Sequence, residues 1–210
     1  MTDRAGQLFE AGLYADALVL FQESADRYRA EAARDPAQFE VALASELNNV
    51  GLCLSHLRRY DEAVRVLQEA ARICAWYWQD DKRLNAFYAA VLASLAAALG
   101  ELGHYQQAME ITNHVVLLRR ASSLPGSPEI DPELARALRQ FAEVRARAGV
   151  ELDAALPAVT EAVTLYEQLV RVSPQTFVGG LYAGYEILAD VLDGLGRHDD
   201  AARVRAGLAP

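Results

Sequence analysis

The sequence predicts an all-α solenoid in which antiparallel helix pairs stack through about 4.5–5 repeats, giving about ten helices. Three observations carry this. A short segment recurs at a steady interval, apolar residues recur at helical spacing within each interval, and Gly, Asp-Pro and Ser-Pro punctuate the boundaries. The recurring segments are GLYADAL (12–18), RRYDEAV (58–64), GHYQQAM (103–109), GVELDAAL (149–156) and GRHDDAA (196–202). Their small residues, Ala17, Ala63, Ala108, Ala155 and Ala201, stand 46, 45, 47 and 46 positions apart.

Upstream positions keep the same register. Twelve before each anchor stand Ala5, Gly51, Ala96 and Ala189; nine before stand Leu8, Leu54, Leu99 and Leu192. The fourth unit fits with one residue inserted near Val150, which brings Leu138, Phe141 and Ala142 into line. Large apolar residues three, four and seven apart form one face of a helix. Small residues at Gly51, Ala96, Ala142 and the anchors let neighbouring helices approach, and a bulky residue there would cost roughly 1–3 kcal/mol.

Each element then has a start and a stop. Asp35-Pro36, Asp131-Pro132 and Ser173-Pro174 read as N-caps followed by proline at the first helical position. Gly12, Gly103, Gly149 and Gly196 fall where a helix end needs a left-handed residue. Helices are predicted at 3–12, 14–34, 36–58, 60–79, 82–102, 105–121, 132–148, 152–172, 174–195 and 198–208, with no strands. Pro157 falls in the first turns of its helix. The chain reads as a single repeat domain over 1–210, with units of about 1–34, 35–80, 81–121, 131–172 and 173–210 and a loop at 122–130 (SSLPGSPEI).

Composition narrows the function. A hydrophobic fraction of 52% supplies a core and argues against disorder. The net charge of −9 repels phosphate backbones and anionic membrane surfaces, so neither nucleic acid nor membrane is expected as a partner. Cys53 and Cys74 lie in apolar helices and make no disulfide framework or zinc spacing. The uncharged run Leu84–Gly100 is broken by Asn85 and Ser94 and reads as a buried helix rather than a membrane span. With no hydrophobic leader after Met1, a reduced, cytoplasmic protein is expected.

The residues Leu47, Val50, Gly51, Leu54, Tyr60, Ala63, Leu67 and Ala70 resemble the tetratricopeptide repeat (TPR) signature. The repeat of about 46 residues is similar to a long variant common in bacterial signalling and adaptor proteins. The resemblance covers nearly the whole chain. It implies a right-handed superhelix whose concave wall is lined by the first helix of each unit, and a non-catalytic scaffold or adaptor that holds another protein or a peptide, without a cofactor. Departures stand at Arg145, where other units have Leu, at Thr112 and Val115, and in the short first helix.

On that wall the expected partner-binding residues are Asn48, Asn49, Leu52 and His56 from the second unit and Ser94 from the third. Arg136, Arg139, Gln140 and Arg147 follow from the fourth and Glu186 from the fifth. Asn48 and Asn49 supply amide donors and acceptors for an extended backbone, and Asn in mid-helix calls for a reason. The arginines form a stripe suited to carboxylates, or else pair with Glu133, Glu143 and Glu186 across helices. The lysines of the family's carboxylate clamp are absent and only Asn49 matches it, so a chaperone tail is not the expected ligand. Trp76, Tyr77 and Trp78 with Phe87 and Tyr88 make the densest aromatic patch, either packed helix tips or a binding hot spot.

Rival classes are weaker. Cys53 and His56 share one helix side, but no third group orients them, so no catalytic residue is assigned. His56, His104, His114 and His198 are scattered, and no metal site is expected. Open solenoid ends leave a self-assembling homo-oligomer, or a structural part of a larger signalling protein, as the alternative.

Overall fold

The computed structural model describes residues 2–78, 84–122 and 130–208. These hold ten α-helices and no strand: α1 (Thr2–Glu10), α2 (Tyr14–Ala32), α3 (Pro36–His56), α4 (Tyr60–Trp78), α5 (Asn85–Glu101), α6 (Tyr105–Ser122), α7 (Pro132–Ala148), α8 (Leu152–Val172), α9 (Pro174–Gly194) and α10 (His198–Leu208). The chain forms two compact units, residues 1–104 and 105–210. In the first, α1 packs on α2, α2 on α3, α3 on α4 and α4 on α5, with α3 also reaching α5. In the second, α6 packs on α7, α7 on α8, α8 on α9 and α9 on α10, with α7 also reaching α9. No helix among the described residues is long and apolar enough to cross a membrane.

The five turns inside the repeats share one main-chain geometry. The N–H of Leu13, Arg59, His104, Val150 and Arg197 donates to the carbonyl of Leu8, Leu54, Leu99, Arg145 and Leu192, at 2.8–3.2 Å. These acceptors are the residues nine before the anchor, or ten in the fourth unit. The bond spans six residues and needs a left-handed residue between, as in a Schellman motif. Gly12, Gly103, Gly149 and Gly196 supply it at φ 67–76°, but the second unit uses Arg58 at φ 59°.

Capping follows the sequence in two cases of three. Asp35 accepts from Gln38 N at 3.3 Å and Asp131 from Glu133 N at 2.9 Å. Ser173 occupies the cap position of α9 without that bond; its hydroxyl instead lies 2.8 Å from the Thr176 hydroxyl. Helix α5 begins at Asn85, three residues later than expected, with 82 and 83 outside the described residues. Most of the expected loop 122–130 also lies outside them.

The small residues sit where the helices touch. All five anchor alanines, together with Ala96, Ala142 and Ala189, are fully buried. At Gly51 a Cβ would stand 2.5 Å from Leu67 Cγ and 2.6 Å from its Cδ2, so α3 and α4 meet there without a side chain between them. Gly180 is similar: a Cβ would lie 2.4 Å from the Tyr166 ring.

The main irregularity is Arg145 of α7, only 1% exposed. Burying a guanidinium requires that its donors be met. Nε donates to Glu151 Oε2 at 3.0 Å, Nη2 to Asn113 Oδ1 at 2.9 Å, and Nη1 to the Phe141 carbonyl at 3.1 Å with Thr112 Oγ1 at 3.5 Å. The guanidinium carbon lies 3.5 Å from the Phe141 ring centroid. Glu151 belongs to the one turn with an inserted residue and adopts φ 52°. Two departures from the repeat, the insertion and the charge, therefore meet in one contact, and Thr112, a third, joins them.

Candidate functional site

The expected partner-binding residues divide between the units. On α3, Asn48, Asn49 and Leu52 are half-buried. Asn48 Oδ1 is buried with no hydrogen-bond partner, an acceptor that packing has dried without satisfying. Glu46 Oε2 on the same helix is likewise buried and unmatched. Ser94 of α5 is half-buried and donates to its own helix, at the Ala90 carbonyl, 3.1 Å away.

His56 is more constrained than a free groove residue. Its ring stacks on Tyr14 at 4.1 Å between centroids, nearly parallel at 4°, and meets Phe9 edge-on at 5.4 Å. It caps the small aromatic cluster that ties α1 and the start of α2 to the end of α3. One ring face is occupied, so the residue offers a ligand at most its outer side.

In the second unit, α7 and α9 enclose a cavity of about 380 Å³. Arg139, Glu143, Ala146 and Arg147 come from α7; Ala183, Glu186, Ile187 and Asp190 come from α9. Arg139 and Arg147 share Glu143, through Nη1–Oε2 at 3.3 Å and Nη2–Oε1 at 3.1 Å. Arg139 Nε is buried and has no partner. Across the cavity Asp190 accepts from Arg205 Nη2 at 2.9 Å, whereas Glu186 is exposed and has no ion-pair partner among the described residues. Of the expected pairs, Arg136 with Glu133 and Arg139 and Arg147 with Glu143 lie within α7, while Glu133 also meets Arg119 of α6 at 3.5 Å. Residues three and four apart on one helix are already neighbours and need no second helix. Gln140 is buried, not presented to the cavity.

Cys53 is fully buried, and burial pushes its thiol up to about 11; Cys74 goes to about 12 for the same reason. A thiol raised in this way stays protonated at neutral pH. The aromatic patch splits. Tyr88 is core, whereas Trp76 is 73% exposed; the Trp78 side chain lies outside the described residues. Two features escaped the sequence reading: the buried setting of Arg145, whose only signal was a charge in a Leu position, and the groove beneath Trp76.

No protein-family model matches the chain, and no curated protein does. Solved structures do. A protein of Podosopora anserina assigned to the kinesin light chains, with nearly identical TPR-like repeats, is similar at a TM-score of 0.65 and 19% identity, covering 98% of this chain and 90% of that one. A variant of that protein with one residue replaced gives 0.66 at 18% identity, with the same coverage. MamA 41-end from Desulfovibrio magneticus RS-1 gives 0.61 at 16% identity, covering 98% and 89%. With ten helices arranged in antiparallel pairs and these neighbours, the fold is that of a TPR-like helical repeat protein.

Proposed function

We propose that this chain is a non-catalytic scaffold that holds a peptide or a segment of another protein on the inner faces of its repeats. The observation that supports this most is the α7–α9 cavity. It combines the small and apolar Ala146, Ala183 and Ile187 with an Arg139–Glu143–Arg147 network on one wall and Glu186 and Asp190 on the other. Such a cleft suits a short polypeptide stretch better than a small apolar ligand, because its charged groups neutralise one another only in part. In the first unit the half-buried Asn49 of α3 offers a separate amide contact.

A contact area at the low end for stable complexes corresponds to roughly micromolar affinity. The test is affinity capture from the source organism, with the captured protein identified by mass spectrometry and its binding measured by calorimetry. Asn48→Ala/Asn49→Ala/Arg139→Ala should keep its helicity by circular dichroism and lose capture. Undiminished capture by that variant would overturn the assignment of the inner faces.

A further inference from the structure

We infer that the outer face of α4, in the first unit, is a separate docking surface that takes an acidic polypeptide segment. A cavity of about 690 Å³ opens where the end of α2, the start of α3 and the end of α4 meet. Its charged lining is Arg29, Glu40, Glu69 and Arg72, with Trp76 and Tyr77 beside them. Both carboxylates are already engaged. Glu40 accepts from the Tyr77 hydroxyl, and Glu69 accepts from Arg29 at 3.3 Å, while Arg29 also pairs with Asp26 at 2.8 Å.

Among the described residues neither Arg72 nor Arg65 has a carboxylate oxygen within ion-pair distance, although Arg65 acts on Glu62 through space and helps to hold its carboxyl below the usual range. The carboxylate nearest Arg65 in sequence on its own helix, Glu62, is held by Arg59 through two hydrogen bonds at 2.7 and 2.8 Å. Seven residues along a helix return to the same face, about 10.5 Å away. Trp76 follows one turn after Arg72 and is 73% exposed. Arg72 also borders a second groove, of about 470 Å³, rimmed by Arg65 and Gln68 and lined by the buried Tyr88 and Leu95. The two cavities therefore adjoin along one ridge: Arg65, Gln68, Arg72 and Trp76.

Two guanidinium groups without bonded carboxylates and a bare indole on one face stand out in a protein of net charge −9. Arginine and tryptophan are the residue types that carry most binding energy in interfaces. The complement is a segment with two carboxylates about 10 Å apart, which meet both arginine forks, and an apolar side chain over the indole. A nucleic acid would bring phosphates to the same arginines but would also face the acidic remainder of the surface.

The experiment uses the whole chain carrying Trp78→Phe, which leaves Trp76 as the single tryptophan of the two present. The probe is a synthetic amphipathic peptide of about fifteen residues, long enough to form helix, with Glu at positions seven apart and Leu between; its control has Lys for Glu. The Glu peptide should blue-shift Trp76 emission saturably, and less so as salt rises. Arg65→Glu/Arg72→Glu should weaken binding at least about tenfold, since opposed charges become like charges. The triple substitution at Asn48, Asn49 and Arg139 should leave this affinity unchanged, which separates the surface from the inner faces. Equal binding of the Lys peptide, unchanged binding after charge reversal, or loss in the triple variant would overturn the inference. So would a Trp76 response to a single-stranded oligonucleotide but not to the Glu peptide, or a dimer seen by light scattering that Arg72→Glu abolishes while the peptide fails to bind.

Discussion

Adding one methyl group at Gly51 should destabilise the protein, and removing Leu67 should reverse the sign of that effect. An alanine Cβ at 51 would stand 2.5, 2.6 and 3.0 Å from three carbons of Leu67, which is fully buried and has nowhere to retreat. Such overpacking costs about 1–3 kcal/mol. Against it, alanine exceeds glycine inside a helix by about 1 kcal/mol. Gly51→Ala should therefore lose about 0–2 kcal/mol in the native background. Leu67→Ala alone leaves a cavity and should lose about 2–5 kcal/mol. In that truncated background the obstructing carbons are gone, so Gly51→Ala should gain up to about 1 kcal/mol. Urea unfolding of the four proteins of the cycle measures the coupling, expected at about 1–3 kcal/mol. Equal loss from Gly51→Ala in both backgrounds would refute the claim that α3 and α4 are held together at a point where only glycine fits.

Glu151→Gln should cost about 1–3 kcal/mol, because it strips the buried Arg145 of its carboxylate, whereas Arg145→Leu should cost less than Arg145→Ala, which leaves a void as well; thermal melts rank the three. Arg58→Gly should raise stability by about 0.5–1 kcal/mol, since its φ of 59° suits glycine; an unchanged or lower melting point would contradict this. Native Cys53 should react with iodoacetamide at pH 8 at least about a hundredfold more slowly than in urea, given the thiol's raised value; mass spectrometry of timed aliquots reads it. Hydrogen bonds from His198 and Arg205 hold the Asp193 carboxyl below its ordinary range. Its stabilising effect is accordingly complete above the ordinary Asp value of about 4 and fades as pH falls through the lower folded value. Asp193→Asn should flatten the fall of the melting temperature in that acid range.

Much of the fold was legible because backbone and packing rules act locally. An alanine that must be fully buried every 46 or so residues, a glycine that must take a positive φ, and an aspartate before proline each leave a mark at a fixed offset. Arg58 left no such mark, since a left-handed arginine is tolerated only when the surrounding turn insists on it. The cap at Ser173 was legible in position but not in bonding, because a hydroxyl can turn to Thr176 instead. Two of the three glutamates named beside the arginines of α7, Glu133 and Glu143, do pair with them, at spacings of three and four within the helix, and Glu133 also meets Arg119 of α6. Tertiary placement explains the rest. Nothing in the order of residues announces that His56 lies flat on Tyr14, 42 positions earlier, or that Asn113 reaches Arg145.

The fourth turn has a bearing on how the repeats can be recombined. Its additional residue and the charged side chain it meets are matched parts, as a bolt is to its nut. Transplanting that turn into another repeat would install a carboxylate with no guanidinium to receive it. Cutting it back to the length of its siblings would strand a cation in the core. Only an exchange that moves both together, with Thr112 and Asn113 opposite, should yield a folded chimera, so this repeat is not freely interchangeable with its neighbours.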